Sequence, residues 1–286
     1  MKFPKMRYAV AAAVVGASVL GASNAVWSQS PNTLQVDTAL VVSVDVSNSV
    51  DEERYRLQME GIASALEDPG VIAAITNGPN GGILFSMVTW SDRPEFTLPW
   101  QKITNKDEAF AVAAKIRKIP PQSGEFTCMT RMMRSVNDKV VSQIPGEALR
   151  VVVDVSGDGP DNCNADEPIE KVRDELVANG VTVNGLPINI GDPSEPVGEG
   201  AYRAPGSDFS DSTLKQNGHG PVTLEEWYRT HVMGGTGAFV LPANGYNDFG
   251  RAIRQKFVIE ISGLGIPGRL NLGLNMDADK TSRLVK

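Results

Sequence analysis

Two continuous apolar runs most constrain the fold of this chain. The segments TALVVSVDV (38–46) and ALRVVVDVS (148–156) are short and rich in β-branched residues. Such runs are typical of strands that are buried on both faces, because a strand with one solvent face alternates apolar and polar residues. Strands of this kind belong to parallel sheets that helices cover on both sides.

The rest of the chain alternates between helix and strand patterns. We predict further strands over 81–91, 93–103, 181–189 and 237–243, and helices over 51–68, 106–119, from about Thr127, over 165–180, 224–234 and 246–262. The fold class is therefore α/β, with a doubly wound, mostly parallel central sheet and helices on both faces. The 81–103 hairpin adds one antiparallel edge strand. Sheets of this type bind ligands at the carboxyl ends of their strands.

The two ends of the chain and one internal segment fall outside this pattern. Residues 1–25 have a basic start, an apolar run and small residues before Ala25, which predicts a signal peptide that is cleaved after Ala25. Residues 26–36 are interpreted as a linker, 37–262 as one domain and 263–286 as a flexible tail. Within the domain, the composition of 191–221 changes to Gly, Pro, Ser and Asp, which predicts a long loop excursion.

Charge and residue usage exclude several classes of function. Loss of Lys2, Lys5 and Arg7 with the signal peptide lowers the formal net charge from −7 to −10. An acidic chain without a basic cluster argues against nucleic acid and anionic lipid as partners. With only two histidines, His219 and His231, a His-rich zinc site or a His-driven hydrolase is not expected. The predicted apolar run of the signal peptide is too short for a stable membrane span.

Oxygen-bearing side chains occur where the predicted strands end. Asp45, Ser47 and Ser49 follow the strand 38–46, Asp158 follows the strand 148–156, and Thr127 lies at the start of a helix. Carboxylates and hydroxyls without thiolate or imidazole suit a hard cation such as Mg²⁺, Mn²⁺ or Ca²⁺. The alternative is local: Ser49 would cap the helix at 51, and Asp45 would accept hydrogen bonds from backbone amides.

The order strand–DVSNS–helix, loop threonine, strand–SGDG resembles a von Willebrand factor A-type domain over residues 37–262. The segments VTWSD, DVSGDGPDN and YRTHVMGGTGAFVLPA are similar to a secreted bacterial family of unknown function that is built on this domain. The resemblance implies a metal-ion-dependent adhesion site that holds Mg²⁺, or Mn²⁺ or Ca²⁺. It implies direct coordination by Ser47, Ser49 and Thr127, contact largely through water by Asp45 and Asp158, and an acidic group of a partner protein that completes the shell.

One part of this resemblance departs from the family pattern. The usual Gly-x-Thr-x-x-Gly becomes Gly124-Glu-Phe-Thr127-Cys-Met-Thr130, with one extra residue before the threonine, so Thr130 is a fallback ligand. If Thr127 and Asp158 reach one cation, their neighbours Cys128 and Cys163 lie close together. The resemblance then implies a disulfide between them, with two unpaired buried thiols as the alternative.

These observations favour an exported, divalent-metal-dependent protein-binding module, periplasmic or secreted from a bacterial cell, whose partner presents an acidic residue. A metal-dependent hydrolase or phosphoryl-transfer enzyme is the first alternative. It is disfavoured because Asp45 is followed by Val-Ser, no Gly-x-Ser-x-Gly elbow occurs, and neither histidine is near a nucleophile in sequence. A structural calcium-stabilised module is the second, since DGPDNCNAD (158–166) distantly resembles a calcium loop but lacks its spacing. In a third alternative, the 191–221 excursion carries the specificity.

Overall fold

A computed structural model describes residues 34–163, 167–197 and 222–263 of the chain. The predicted signal peptide, the tail beyond residue 263, and most of both the linker and the 191–221 excursion lie outside the described residues, and these assignments stay predictions. None of the helices in the described part is long and apolar enough to cross a membrane.

A five-stranded sheet with the order β3-β2-β1-β4-β5 forms the centre of the molecule. Strands β1, β2, β4 and β5 pair in parallel, and β3 pairs antiparallel with β2 at one edge. The mostly parallel α/β fold with one antiparallel edge strand is thereby confirmed. The strands are β1 (Gln35–Asp45), β2 (Ile83–Trp90), β3 (Pro94–Ile103), β4 (Glu147–Gly157) and β5 (Val181–Pro187).

Seven α-helices lie in the described part of the chain. They are α1 (Glu52–Glu67), α2 (Pro69–Thr76), α3 (Lys106–Ile116), α4 (Met129–Ser135), α5 (Ile169–Ala178), α6 (Leu224–Trp227) and α7 (Tyr246–Ser262). Helix α4 continues into a π-helical turn, Val136–Val140, and a 3₁₀ turn, Val141–Gln143. Helix α6 continues likewise into a π-helical turn, Tyr228–Val232.

The sequence analysis missed α2. The Asp68 carboxylate accepts hydrogen bonds from the amides of Gly70 and Val71, at 2.8 and 3.3 Å, and Pro69 occupies the first turn. A proline is tolerated at this position because the first amides of a helix have no partner within the helix. The Asp-Pro-Gly sequence therefore starts a second helix here.

The predicted strand 237–243 is wrong as a regular strand. This segment runs beside β5 but forms only isolated bridges, between Val240 and Gly185 and between Ala243 and Ile188. Two backbone donors are missing from a regular ladder. Pro187 of β5 has no N–H group to donate to the Leu241 carbonyl, and the Phe239 amide donates to the Asn184 side chain at 3.0 Å.

The two faces of the sheet are covered by different helices and have separate apolar cores. Successive side chains of a strand point to opposite faces, so Leu40, Val42 and Val44 join the core beneath α1, α2, α3 and α7, whereas Val41 joins the core beneath α4, α5 and α6. Both faces of β1 are buried, as its continuous apolar sequence predicts.

Helices α1 and α7 pack closely through two glycines. A Cβ atom on Gly61 would lie 2.9 Å from the Phe249 ring and 3.1 Å from the Gly250 Cα atom. A Cβ atom on Gly250 would meet only the Gly61 Cα atom, at an ordinary 3.6 Å. The close approach therefore requires a glycine at 61 but not at 250.

We expect Gly61→Ala to lower the free energy of unfolding by about 1–2 kcal/mol, because the added methyl overpacks the helix contact. Gly250→Ala is the matched control. It should leave the stability unchanged or raise it by up to about 1 kcal/mol through helix propensity. Denaturant unfolding of both variants checks this, and equal losses in the two would contradict the packing described here.

Candidate metal centre

Asp45 is the last residue of β1, and its side chain is fully buried. Its Oδ1 atom accepts a hydrogen bond from the Ser47 amide at 2.8 Å, and its backbone carbonyl accepts one from the Gln58 side chain at 3.1 Å. These bonds turn the chain sharply after the strand and hold the loop 46–50 against the start of α1.

Three hydroxyl groups and a second carboxylate converge beside Asp45. The Ser47 Oγ atom lies 3.3 Å from both Ser49 Oγ and Thr127 Oγ1. Ser49 Oγ donates to Asp158 Oδ1 at 2.7 Å. The structure thus brings together all five residues that the sequence analysis selected, at the carboxyl edge of the parallel strands. Every side-chain donor in this set is an oxygen, which is the ligand type of hard cations.

Helix α1 does not need Ser49 as a cap. The Asp51 side chain is the N-cap and accepts from the Arg54 amide at 2.8 Å. The local alternative, in which Ser49 caps the helix, is therefore wrong. The same alternative expected Asp45 to accept hydrogen bonds from backbone amides. One of its oxygens does accept such a bond, and the second does not.

The second carboxylate oxygen of Asp45 has no hydrogen-bond partner, although it is buried. Burial, and then the nearby negative charge of Asp158, raises the pKa of the Asp45 carboxyl to about 8. A buried carboxylate without compensation is costly in free energy. A positive charge at this place would compensate the Asp45 carboxylate, and the surrounding oxygen atoms suit a divalent cation.

Gly157 permits the close packing around this carboxylate. A Cβ atom here would lie 2.9 Å from the Tyr228 hydroxyl oxygen and 3.0 Å from Asp45 Oδ2, so only glycine fits. On the outer side, the Tyr246 hydroxyl donates to Asp158 Oδ2 at 3.0 Å and orients that carboxylate. The sequence analysis did not assign either tyrosine to the site, because both reach it from distant parts of the chain.

The loop that carries Thr127 is fastened to the loop after β4. The Thr127 amide donates to the Asn162 side chain at 2.7 Å, and the Asn162 amide donates back to the Thr127 carbonyl at 3.1 Å. A disulfide joins Cys128 and Cys163, whose Cα atoms are 4.8 Å apart. The structure contains the disulfide that was predicted, and the alternative of two unpaired thiols is wrong.

Thr130, the fallback ligand, has a different environment. Its amide donates to Asp161 Oδ2 at 3.2 Å, and its hydroxyl donates to the same oxygen. Asp161 Oδ1 accepts from the Cys163 amide at 3.1 Å. Of the two threonines, Thr127 is the one in contact with Ser47. Asp161 ties the start of α4 to the loop after β4.

An open groove of about 650 Å³ adjoins the site. Arg54 lies at its border, donates to the Ser49 carbonyl and stacks over the Tyr246 ring at 5.3 Å from the centroid. Asn189 and Asn244 also line the groove. It is mainly polar and open, so it offers a surface beside the oxygen cluster rather than an enclosed pocket.

Groups with conventional metal-binding side chains are absent from the described ranges 34–163, 167–197 and 222–263: no three His, Cys, Asp or Glu residues cluster there. The candidate centre has only two carboxylates and depends on hydroxyls. His231 contacts Glu170 through Nδ1 and packs against the Trp227 ring at 5.0 Å, whereas His219 lies outside the described residues. In the segment 158–166, which distantly resembles a calcium loop, residues 164–166 also lie outside the described residues.

Comparisons with solved structures give the same architecture. Proximal thread matrix protein 1 from the mussel byssus aligns with a TM-score of 0.54 and 16% identity, over 80% of this chain and 49% of that one. Another structure of it, with a zinc-occupied MIDAS motif, aligns with a TM-score of 0.51 and 19% identity, over 80% and 49% of the two chains. A von Willebrand factor type A protein from Catenulispora acidiphila aligns with a TM-score of 0.50 and 12% identity, over 79% and 43%.

This chain therefore spans about half the length of these solved chains, and the similarity shows a shared fold. A search of curated proteins finds no match. One family model matches residues 35–265, a range that includes all five described strands. The described residues have a von Willebrand factor A-type fold, and the chain belongs to the family described as "Protein of unknown function (DUF1194)".

Proposed function

We propose that the protein is an exported binding module that holds a divalent cation at the carboxyl edge of its sheet and captures an acidic group of a partner protein there. The observation that carries this proposal is the convergence of five oxygen-bearing side chains, among them the buried Asp45 carboxylate. The predicted signal peptide and the disulfide support export to an oxidising compartment.

Within this proposal, the hydroxyls of Ser47, Ser49 and Thr127 bind the cation directly. Asp45 and Asp158 balance its charge, largely through bound water. Mg²⁺ is the proposed ion, with Mn²⁺ and Ca²⁺ as alternatives, because an oxygen-only set suits hard cations. The zinc in the MIDAS motif of the mussel protein supports a divalent ion at this place in the fold. A partner carboxylate would complete the coordination shell.

Binding accounts for the site better than hydrolysis. Asp158 already accepts from Ser49 and Tyr246, and the unpaired oxygen of Asp45 is buried beside Gly157 and the Tyr228 hydroxyl, where a substrate cannot reach it. A hydrolase would need a free base beside an activated water. The open groove that Arg54 borders, together with Asp51 and Glu53, instead offers a contact surface to a macromolecule.

The cation should stabilise the fold. At a hundred times its Kd, a metal that binds only the folded state adds about 2.7 kcal/mol, which corresponds to roughly 5–10 °C in Tm for a domain of this size. We expect Mg²⁺, Mn²⁺ or Ca²⁺ to raise the Tm of metal-stripped residues 26–286, and Asp45→Asn or Ser47→Ala to abolish the shift. Asp174→Asn, on the exposed face of α5, is the control and should keep it. A full shift in Asp45→Asn would contradict the assigned site.

The two threonines should differ in their effect on metal affinity. Thr127→Val removes the hydroxyl in contact with Ser47, so we expect the Kd of the cation to rise at least about tenfold. Thr130→Val removes a bond to Asp161 instead and should change stability more than affinity. Titration of both variants with Mn²⁺ decides between them. The opposite order would make Thr130 the ligand and Thr127 a structural residue.

Partner capture should depend on the metal site. Immobilised wild-type protein should retain a protein from the native extracellular or periplasmic fraction in Mg²⁺ and release it in chelator. Asp45→Asn should retain none, and Asp174→Asn should retain as much as the wild type. Retention that survives both the chelator and Asp45→Asn would show that the contact surface lies elsewhere.

A further inference from the structure

A second constellation of reactive side chains lies inside the molecule, between the sheet and α7. Asp154 lies in β4, and Lys256 and Glu260 lie one turn apart in α7. Lys256 and Asp154 are fully buried and Glu260 is 4% exposed. This cluster belongs to the core beneath α1 and α7 and is not part of the proposed metal centre.

The three groups are within reacting distance of one another. Lys256 Nζ lies 3.4 Å from Asp154 Oδ1 and 3.1 Å from Glu260 Oε1. The Asn184 side chain donates to the same Glu260 oxygen at 2.8 Å and fixes it beside the amine. The Phe239 ring lies against the amine, with its centroid at 4.3 Å from Nζ. The amine is thus in contact with an oxygen of the Asp154 carboxyl, one bond away from the carbon that it would attack, and with the oxygen of Glu260 that would take its proton.

The charges in this cluster do not balance as ions. Two carboxylates face a single ammonium, and both oxygens of Asp154 and one of Glu260 lack a hydrogen-bond partner. Burial, and then the charge of Glu260, raises the pKa of the Asp154 carboxyl to about 8. Asp154 is then a neutral carboxylic acid at neutral pH, and this protonated form is the one that can acylate an amine.

We propose that Lys256 and Asp154 condense to an intramolecular isopeptide bond that ties α7 covalently to the interior strand β4, with Glu260 as the proton acceptor. The geometry supplies a nucleophile, an electrophile and a base in a site without bulk water. The proposal is independent of the proposed metal-dependent function.

The reaction balances without an added oxidant or co-reactant. Glu260 takes a proton from the Lys256 ammonium, and the free Nζ electron pair attacks Cγ of Asp154 to form a C–N bond. The C–O bond to the acid hydroxyl then breaks. Glu260 passes its proton to the leaving hydroxyl, which departs as water, and takes a second proton from the nitrogen. An ammonium, a carboxylate and a carboxylic acid thereby become an amide, a carboxylic acid and one water molecule.

The buried setting favours the product. Ions are costly to hold away from water even when they are paired. The condensation replaces an ammonium and a carboxylate with neutral groups, and the Asn184 side chain can still bond to Glu260. The same packing that keeps Lys256 from solvent also limits hydrolysis of the new bond.

Mass spectrometry of the full chain, reduced and denatured, tests the proposal directly. We expect the wild-type protein to be lighter than its sequence by one water molecule. Proteolysis should release a branched peptide in which the segment with Lys256 is joined to the segment with Asp154. Lys256→Met should restore the full mass, and Glu260→Gln should leave most molecules unreacted. Lys171→Met, at an exposed lysine of α5, is the matched control and should keep the deficit.

Two outcomes would overturn the inference. Folded wild-type protein with the full mass and no branched peptide would show that the cluster is a plain buried ion group. A deficit that persists in Lys256→Met would place the loss of water elsewhere, for example in a succinimide at Asp158-Gly159, which produces no branched peptide. Because the wild-type peptide map alone decides, the test does not depend on whether a variant folds.

Discussion

The parallel pairing of β1 with β4 is the constraint on which the rest of the site depends. The register matches Val44 with Ser156, so the next residues, Asp45 and Gly157, emerge side by side at one edge of the sheet. The loops that follow then carry Ser47, Ser49 and Asp158 into contact. No local sequence preference could bring residues about 110 positions apart to this distance, whereas two paired strands do so once their hydrogen bonds are formed.

Two buried carboxyl groups of the sheet, Asp45 and Asp154, have a raised pKa, and they lie on opposite faces with different surroundings. Asp45 lies on the side of Tyr228 and faces a cluster of hydroxyls, where a mobile cation can compensate its charge. Asp154 lies on the side of α7 and faces Lys256, a compensating charge that is part of the chain. Both have a raised pKa for the same first reason, burial. The first carboxylate is suited to exchangeable binding, and the second to a fixed link between sheet and helix.

Much of the fold could be predicted because the signal is periodic. Strands β1 and β4 are continuous apolar runs, and α7 was placed at its observed bounds by its helical spacing. The errors occurred where one hydrogen bond decides. Asp68 caps a helix that begins at Pro69, and Pro187 of β5 has no N–H group to bond the Leu241 carbonyl, which interrupts what would otherwise be a sixth strand.

The site divides in the same way. The spacing in DVSNS identifies three of its residues, because alternate side chains of one turn converge. Asn162, Tyr228 and Tyr246 could not be found, since their contacts join segments that are 35 or more residues apart and no short motif marks them.

The Thr127 loop shows why the disulfide belongs to the same functional unit as the oxygen cluster. Between residues 120 and 128 the chain has no helix and no regular strand, so its own backbone bonds do not fix the threonine. Three contacts with the loop after β4 do so: the reciprocal bonds to Asn162, the carboxylate of Asp161 and the disulfide. A cross-link that closes 35 residues removes roughly 4 kcal/mol of chain entropy from the unfolded state in the simplest treatment. Under the proposed function, a cation would not have to supply this ordering, so a set of weak hydroxyl ligands would be sufficient for binding.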